Sequence, residues 1–405
     1  MATPETAALP GRPGRGYRTS LWQVRQPAFW LFMVLLVLST IAAVLIQVGV
    51  LSVSPGGWVL SWVLLLVYAV PAFILIYVLD LYEREPASLI VASLLWGAFG
   101  ATTLTLVASA GWDPLVADLL GRDLYVQWGA AIIAPPIEEI LKGLAVVFVI
   151  LIARREVDDV MDGFVYGAMA GLGFTVVEDV LYFIGQFGGT PGGILEGFFV
   201  RVVAGGVYGH VLYSGLFGMG VAYFATRRRE ASVGKRLGVA GGLILLAIGA
   251  HFLWNSPLLD FYPDQLESAA DYGQVILATT AKGLPFLAFL ALMVSMGRRR
   301  EHRWLRACLL GEVGREGIHP QELEVLESPS ARRKSRREMT RRAGPLAGKT
   351  LKRLYRAQIT LAMIRSKVGE KDDHPDLVRQ RQYCKALRDW LVAVTGGAQP
   401  AARPG

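Results

Sequence analysis

The sequence predicts an all-α fold: a polytopic membrane protein with about eight transmembrane helices and a helical cytoplasmic C-terminal tail. Three observations lead there. The 405-residue chain is 53% hydrophobic and only 18% charged, whereas a soluble domain carries about 25% charged residues. Its mean hydropathy is +0.42, and the apolar residues gather into runs near the roughly 20 residues that a bilayer crossing needs. The net charge of +8 sits largely in short runs beside those stretches, a pattern of membrane topology before nucleic acid.

The predicted spans cover 28–52, 57–79, 87–111, 125–152, 160–186, 194–226, 235–257 and 272–297. The sixth is long enough to tilt. The first is too long for the core of a cleavable signal peptide and reads as a retained anchor. Arg12, Arg15, Arg18 and Arg25 precede the first span; Arg154 and Arg155 follow the fourth, Arg227 to Arg229 the sixth and Arg298 to Arg300 the eighth. The opposite connections 52–56, 187–193 and 258–271 have no Lys or Arg, and 112–124 has only Arg122. The positive-inside rule then places both termini in the cytoplasm of a multi-pass cell-membrane protein, and an even number of spans agrees.

This reading divides the chain into a cytoplasmic N-terminal segment (1–27), a transmembrane domain (28–300), an amphipathic cytoplasmic helix (301–327), a basic linker (328–348), a cytoplasmic helical hairpin (349–395) and a disordered tail (396–405). The linker holds seven basic residues, Arg332, Arg333, Lys334, Arg336, Arg337, Arg341 and Arg342. It reads as a solvated connector or as a contact for anionic inner-leaflet lipid; no nucleic-acid partner is expected. Cys308 and Cys384 lie in this region and fit neither a disulfide framework nor a CxxC metal site, so both read as reduced thiols. No internal repeat is visible.

The informative residues are polar ones inside the spans. "APPIEEILKGL", Ala134 to Leu144, puts Glu138 and Glu139 near the middle of the fourth span, where a carboxylate costs at least ~2.5 kcal/mol. Pro135 and Pro136 predict a break, with a new helix starting near Pro136 and both glutamates in its first turn. Lys142 is four residues from Glu138 and three from Glu139, within reach of either. The fifth span carries "GLGFTVVEDVLYF", with Glu178 and Asp179 one turn after Phe174. The sixth carries "GGVYGHVLYSGLFG", with His210, Ser214 and Gly218 on one face. The seventh carries "HFLWNS", with His251 and Asn255 at i and i+4. Arg201 and Lys282 read as counter-ions or snorkelling side chains.

One such residue alone is an ordinary interhelical hydrogen bond. Four successive spans each bearing an ionisable group can enclose one polar cavity, in which Glu and His activate water directly or through a bound divalent metal such as Zn2+. Zinc hydrolases bring three protein ligands and leave a position for water. His210, His251 and one of Glu138, Glu139 or Glu178 form such a set, with Glu178 taken as the third ligand. There is no HExxH, so the set is assembled from separate helices. A Glu/His relay in a transporter or chaperone-like membrane protein and a non-catalytic scaffold are the competing readings.

These segments resemble the PrsW-like family of intramembrane proteases, relatives of the CAAX-prenyl-protease-like membrane peptidases. "PPIEEILKG" resembles that family's EExxK motif, "GFTVVED" its FxxxE motif, and the His210 and His251 segments its later histidine-bearing helices. "YVLDLYEREP", Tyr77 to Pro86, resembles its Asp- and Glu-Pro-containing loop. The resemblance covers roughly 60–260 and not the tail. It implies an intramembrane endopeptidase acting on membrane-anchored proteins, an anti-sigma factor in the family's best-known role, where the cut opens regulated intramembrane proteolysis. It implies catalytic residues Glu138, Glu139, Glu178, His210 and His251 with Lys142 and Asn255 in support, and metallo- or glutamate-dependent chemistry. The chain departs from the pattern at Asp179, where asparagine is expected after the glutamate, and in its long tail.

Overall fold

The computed structural model describes residues 19–79, 85–205, 208–261, 266–369 and 371–395. Most of the predicted N-terminal segment, residues 80–84 of the "YVLDLYEREP" loop and the predicted tail 396–405 lie outside the described residues. Two compact units are present, residues 18–294 and a second that includes 295–405. The described residues form helices and no strand.

In the first unit the order is α1 (Pro27–Val53), α2 (Pro55–Leu79), α3 (Ala87–Leu95), a π-helical turn (Trp96–Ala101), α4 (Thr102–Leu120), α5 (Arg122–Ala153), α6 (Val160–Gly185), α7 (Pro191–Phe198), a second π-helical turn (Phe199–Ala204), α8 (His210–Thr226) and α9 (Val233–Asn255), followed by α10 (Ala269–Leu310), which runs on into the second unit. Six helical stretches among the described residues are long and apolar enough to cross a bilayer: α1, α2, α3 with α4, α6, α9 and α10. Two predicted spans are not among them. The fourth, within α5, carries Glu138, Glu139 and Lys142. The sixth is broken between Ala204 and His210, where "AGGVYGH" concentrates glycines that each weaken a helix by about 1 kcal/mol.

The centre of the unit is α6. Apart from Asp162, Thr175, Glu178 and Asp179 it is made of apolar residues and glycines with Tyr166 and Tyr182, as suits a helix surrounded by other helices, and it is buried over nearly its whole length. Its start is fixed by a capping box in which Asp162 accepts from the Asp159 N–H at 2.7 Å. Gly163, Gly167 and Gly171 recur every fourth residue and lie against the backbone of α8. A Cβ on Gly167 would meet the Ser214 carbonyl oxygen at 2.1 Å, and one on Gly171 would meet that of His210 at 2.2 Å. A Cβ on Gly218 would reciprocally meet the Gly163 oxygen at 2.0 Å. Small residues at this spacing let membrane helices approach backbone to backbone. On another face, Gly97 and Gly173 make the same kind of approach, to Ala170 and Leu94, and seat Trp96 in the core, where its indole donates to the Leu141 carbonyl of α5 at 2.8 Å.

The second unit takes in the end of α10, then α11 (Pro320–Glu327), α12 (Pro329–Val368) and α13 (Pro375–Val394). The segment 328–348, read from the sequence as a linker, lies mostly within α12. Ser328 caps it, accepting from the Ala331 N–H at 3.3 Å, and Arg and Lys are good helix formers. Glu338 pairs with Arg341 at 3.6 Å and Arg342 at 2.6 Å, relieving part of the charge crowding. The helical geometry lapses only at Ala343 and Gly344, with Gly344 at φ +83. Leu326, Leu351, Leu354, Leu377, Leu387 and Leu391 are buried in this unit. Two buried carboxylates tie it together. Glu312 pairs with Arg365 and accepts from Arg381 Nε at 2.7 Å. Glu322 binds Arg388 at 2.6 Å and Gln358 at 2.7 Å. Burial pushes the Cys384 thiol up from its usual pKa, which keeps it protonated and unreactive.

The α6–α8 approach yields a prediction. Gly167→Val forces the two backbones apart and overpacks a close interface, costing about 1–3 kcal/mol. Thermal unfolding of the purified full chain in detergent should show a lowered melting temperature; an unchanged one would mean that the contact is looser than described.

Candidate active site

Glu138, Glu139 and Lys142 lie on one buried face of α5. The expected break at Pro135 and Pro136 does not occur: α5 runs unbroken from Arg122 to Ala153 with both prolines inside it. The glutamates are therefore mid-helix, and the positive end of a helix dipole is not what holds them. Prolines are tolerated in membrane helices where neighbours bond the backbone groups they disturb. Asn255 Nδ2 of α9 donates to the Ala130 carbonyl at 3.3 Å in the turn before the two prolines, which ties α9 to α5 there but does not serve the Ala131 and Ile132 carbonyls that the prolines leave without a helical donor.

The carboxylates are held by a cation. Lys142 Nζ lies 3.2 Å from Glu138 Oε2, 2.7 Å from Glu139 Oε1 and 2.7 Å from His210 Nδ1. The Phe174 ring of α6 lies beneath it, 4.2 Å from the ammonium to the ring centroid. With the ammonium donating, His210 Nδ1 is the accepting nitrogen, and Nε2–H donates to Glu178 Oε2 at 2.8 Å. His251 Nδ1 donates to Glu139 Oε1 at 3.0 Å. That leaves the Nε2 lone pair facing Glu138 Oε2 at 3.8 Å, with Asn255 Nδ2 at 3.4 Å. Ser214 Oγ donates to Glu139 Oε2 at 2.8 Å. The imidazoles lie 4.9 Å apart with planes at 83°, and Tyr213 stacks on His251 at 4.9 Å and 15°.

All seven residues singled out in the sequence meet in one cluster. Arg201, read there as a counter-ion, also belongs to it. Its Nη2 donates to Glu178 at 2.8 Å and its Nε to Asp179 at 2.5 Å, with the guanidinium 3.7 Å from the Tyr182 ring centroid. An arginine in a span with no carboxylate on its own helix turn must find one on a neighbour, so a partner on another helix was inferable but its identity was not. Tyr213 and Tyr208 carried no readable signal. Lys282 lies apart from this cluster. It binds Asp260 at 2.6 Å and the carbonyls of Trp254 and Ser256 at 3.3 and 2.9 Å, which closes the end of α9 just beyond His251. In the remainder of the "YVLDLYEREP" loop, Glu85 is buried and accepts from Tyr166 Oη at 2.5 Å.

The donor set suits a divalent metal, with one change from the expected ligands. The compact group among the described residues is Glu138, His210 and His251, whose ligand atoms lie within 4.8 Å of one another. Glu178, expected as the third ligand, lies instead behind His210, on the ring nitrogen turned away from Glu138. Each histidine thus presents a lone pair towards Glu138 and donates its other ring N–H to a carboxylate, Glu139 or Glu178. That outer arrangement is the usual one for metal-bound imidazoles. Four carboxylates, Glu138, Glu139, Glu178 and Asp179, share two fixed cations, Lys142 and Arg201. Lys142 now engages two of the three donors. To free them it must withdraw towards Glu139.

The chain matches the model of the PrsW family intramembrane metalloproteases over residues 85–294, more than half its length. It is similar to "Protease PrsW" of Geobacillus kaustophilus (strain HTA426), with 27% identity over 191 residues that cover 46% of this chain and 68% of that protein. No solved structure matches it. The buried Glu/His cluster, the apolar helices and the family match agree: this chain is a multi-pass membrane peptidase belonging to the PrsW family of intramembrane metalloproteases.

Proposed function

We propose that the cluster around Lys142 cuts single membrane-anchored proteins beside or within their spans, an anti-sigma factor being the substrate class the family resemblance suggests. The observation that carries this reading is the convergence of two imidazole lone pairs and the Glu138 carboxylate, each imidazole backed by its own carboxylate. Eight spans, obtained by adding α5 and the α7–α8 pair to the six apolar stretches, place both termini in the cytoplasm by the loop charges.

Glu138, His210 and His251 would hold the metal. When bound, it supplies Lewis-acid polarisation of the scissile carbonyl and a water of lowered pKa. Glu139 and Glu178 fix the two imidazoles in the tautomers that aim their lone pairs inward. Glu139 takes up the proton of the attacking water at Oε2, where the Ser214 hydroxyl donates. Lys142 tunes the carboxylate pair and keeps one of them ionised, because a buried ammonium at hydrogen-bond distance favours the charged form. Asn255 is anchored on α5 through the Ala130 carbonyl and lies beside His251 Nε2, a contact it gives up where that nitrogen holds the metal. Arg201 holds Glu178 against His210.

Glu139→Gln keeps volume and removes the proton acceptor. Cleavage should fall by about 10²–10⁴-fold, the range of a general base. The check compares the N-termini of membrane proteins in cells carrying wild type or the variant at matched expression. New N-termini persisting with the variant would remove Glu139 from this role. Stripping divalent metal from the purified protein with a chelator should abolish cleavage, and added Zn2+ should restore it; activity untouched by chelation would favour a glutamate-dependent route. The basic stretch of α12 is proposed to contact anionic lipid, at about 1 kcal/mol per basic residue near the surface. Replacing Arg332, Arg333, Arg336 and Arg337 by Gln in the full chain should weaken co-sedimentation of the cytoplasmic face with phosphatidylserine-containing vesicles at low salt. Equal binding would end the lipid assignment.

A further inference from the structure

The cluster is closed on one side and open on the other. Side-chain exposure is 0% at Glu139 and Lys142 and 1% at His251, then rises to 10% at His210, 13% at Glu178 and 15% at Arg201. At that open end lies a cleft of about 30 Å³. On the same measure, a water needs about 10–15 Å³ and two to four polar partners, so the cleft has room for roughly two. Thr175, Asp179, Arg201, Tyr208, Tyr213 and His210 are among its lining residues.

Two of these residues carry a buried polar atom with no hydrogen-bond partner among the described residues. Asp179 spends Oδ1 on Arg201, but its buried Oδ2 has no hydrogen-bond partner among the described residues. Tyr213 is fully buried against His251, and its hydroxyl likewise has none. Buried polar groups of this kind are costly unless a ligand or ordered water satisfies them. One is an acceptor and the other both donor and acceptor, and both belong to residues that line the cleft beside His210.

We infer that this cleft is the water inlet of the site: Asp179 Oδ2 and Tyr213 Oη hold water beside His210, ready to replace the molecule that each hydrolysis consumes. Irregular backbone at membrane depth is tolerated where it lines a water-filled cavity, and the non-helical Tyr208 and Gly209, just before α8, line this cleft. Asp179 and Tyr213 are positioning residues in this scheme. They touch the water in transit and not the scissile bond. The purpose assigned to the water rests on the hydrolysis proposed above; its presence does not.

Radiolytic footprinting of the full chain in lipid nanodiscs tests this without any substrate, because a pulse converts water bound beside a side chain into hydroxyl radical that labels that side chain. Tyr166 is the internal standard, equally buried but with its hydroxyl bonded to Glu85 and outside the cleft. Tyr213 should be labelled several-fold faster than Tyr166, and should carry heavy oxygen after brief mixing into H2(18)O. Labelling of Tyr213 as slow as that of Tyr166 overturns the inlet. Asp179→Leu should then slow both the labelling of Tyr213 and turnover while leaving KM unchanged; labelling unaltered by this variant overturns the role of Asp179. A dry Tyr213 leaves the protease assignment standing, and an active Glu139→Gln variant leaves the inlet standing, so the two can fail separately.

Discussion

A single ammonium organises the interior of this protein. Lys142 is fully buried and bonded to Glu138, Glu139 and His210. A carboxylate pair or a lysine alone at this depth would be expelled or neutralised. Together they form a unit whose remaining bonds must come from other helices: Ser214 and His210 from α8, His251 from α9, and the Phe174 ring from α6. The cost of leaving any buried partner unpaired far exceeds the gain from one ordinary hydrogen bond. The charge on α5 therefore dictates how three other helices must stand.

Those helices can stand there because of their small residues. Gly163, Gly167 and Gly171 allow α8 to run against α6 with no side chain between the backbones. The same contact puts the His210 carbonyl against Gly171 and the Ser214 carbonyl against Gly167. Packing and chemistry thus share an interface, and the two α8 residues that touch the α5 carboxylates, His210 and Ser214, are among the three whose backbones meet an α6 glycine. Substituting one of these glycines disturbs the site without altering any charged group.

The competition between Lys142 and a metal for the same atoms follows from this economy of space. Glu138 Oε2 and His210 Nδ1 serve the ammonium in the structure described and serve as donors in the metal-binding group. Glu139, with Ser214 and His251 already in contact, is bonded to the same ammonium.

Much of this was legible in the sequence, and what was not has a physical cause. Apolar runs, loop arginines and the improbable Glu138, Glu139 and Lys142 in mid-span are local facts, governed by the transfer of side chains into hydrocarbon, so they mark the helices and most of the polar cluster without a structure. The continuity of α5 through Pro135 and Pro136 was not readable, because whether a proline pair breaks a membrane helix or is carried within it depends on the helices packed around it, which the local sequence does not encode. Which of Glu138, Glu139 or Glu178 stands nearest the two histidines stayed open in the sequence for a similar reason. Spacing along a helix gives the face a residue occupies, and only the meeting of helices decides which ring nitrogen each carboxylate reaches. The helical state of 328–342 was masked by its charge, which sequence reading equates with solvation, although arginine and lysine favour a helix once Ser328 caps it. The sequence by itself determined that charged residues would be buried together in a membrane. The tertiary structure alone decided their pairing, because hydrogen bonds between helices depend on distances of a few tenths of an ångström that no single helix encodes.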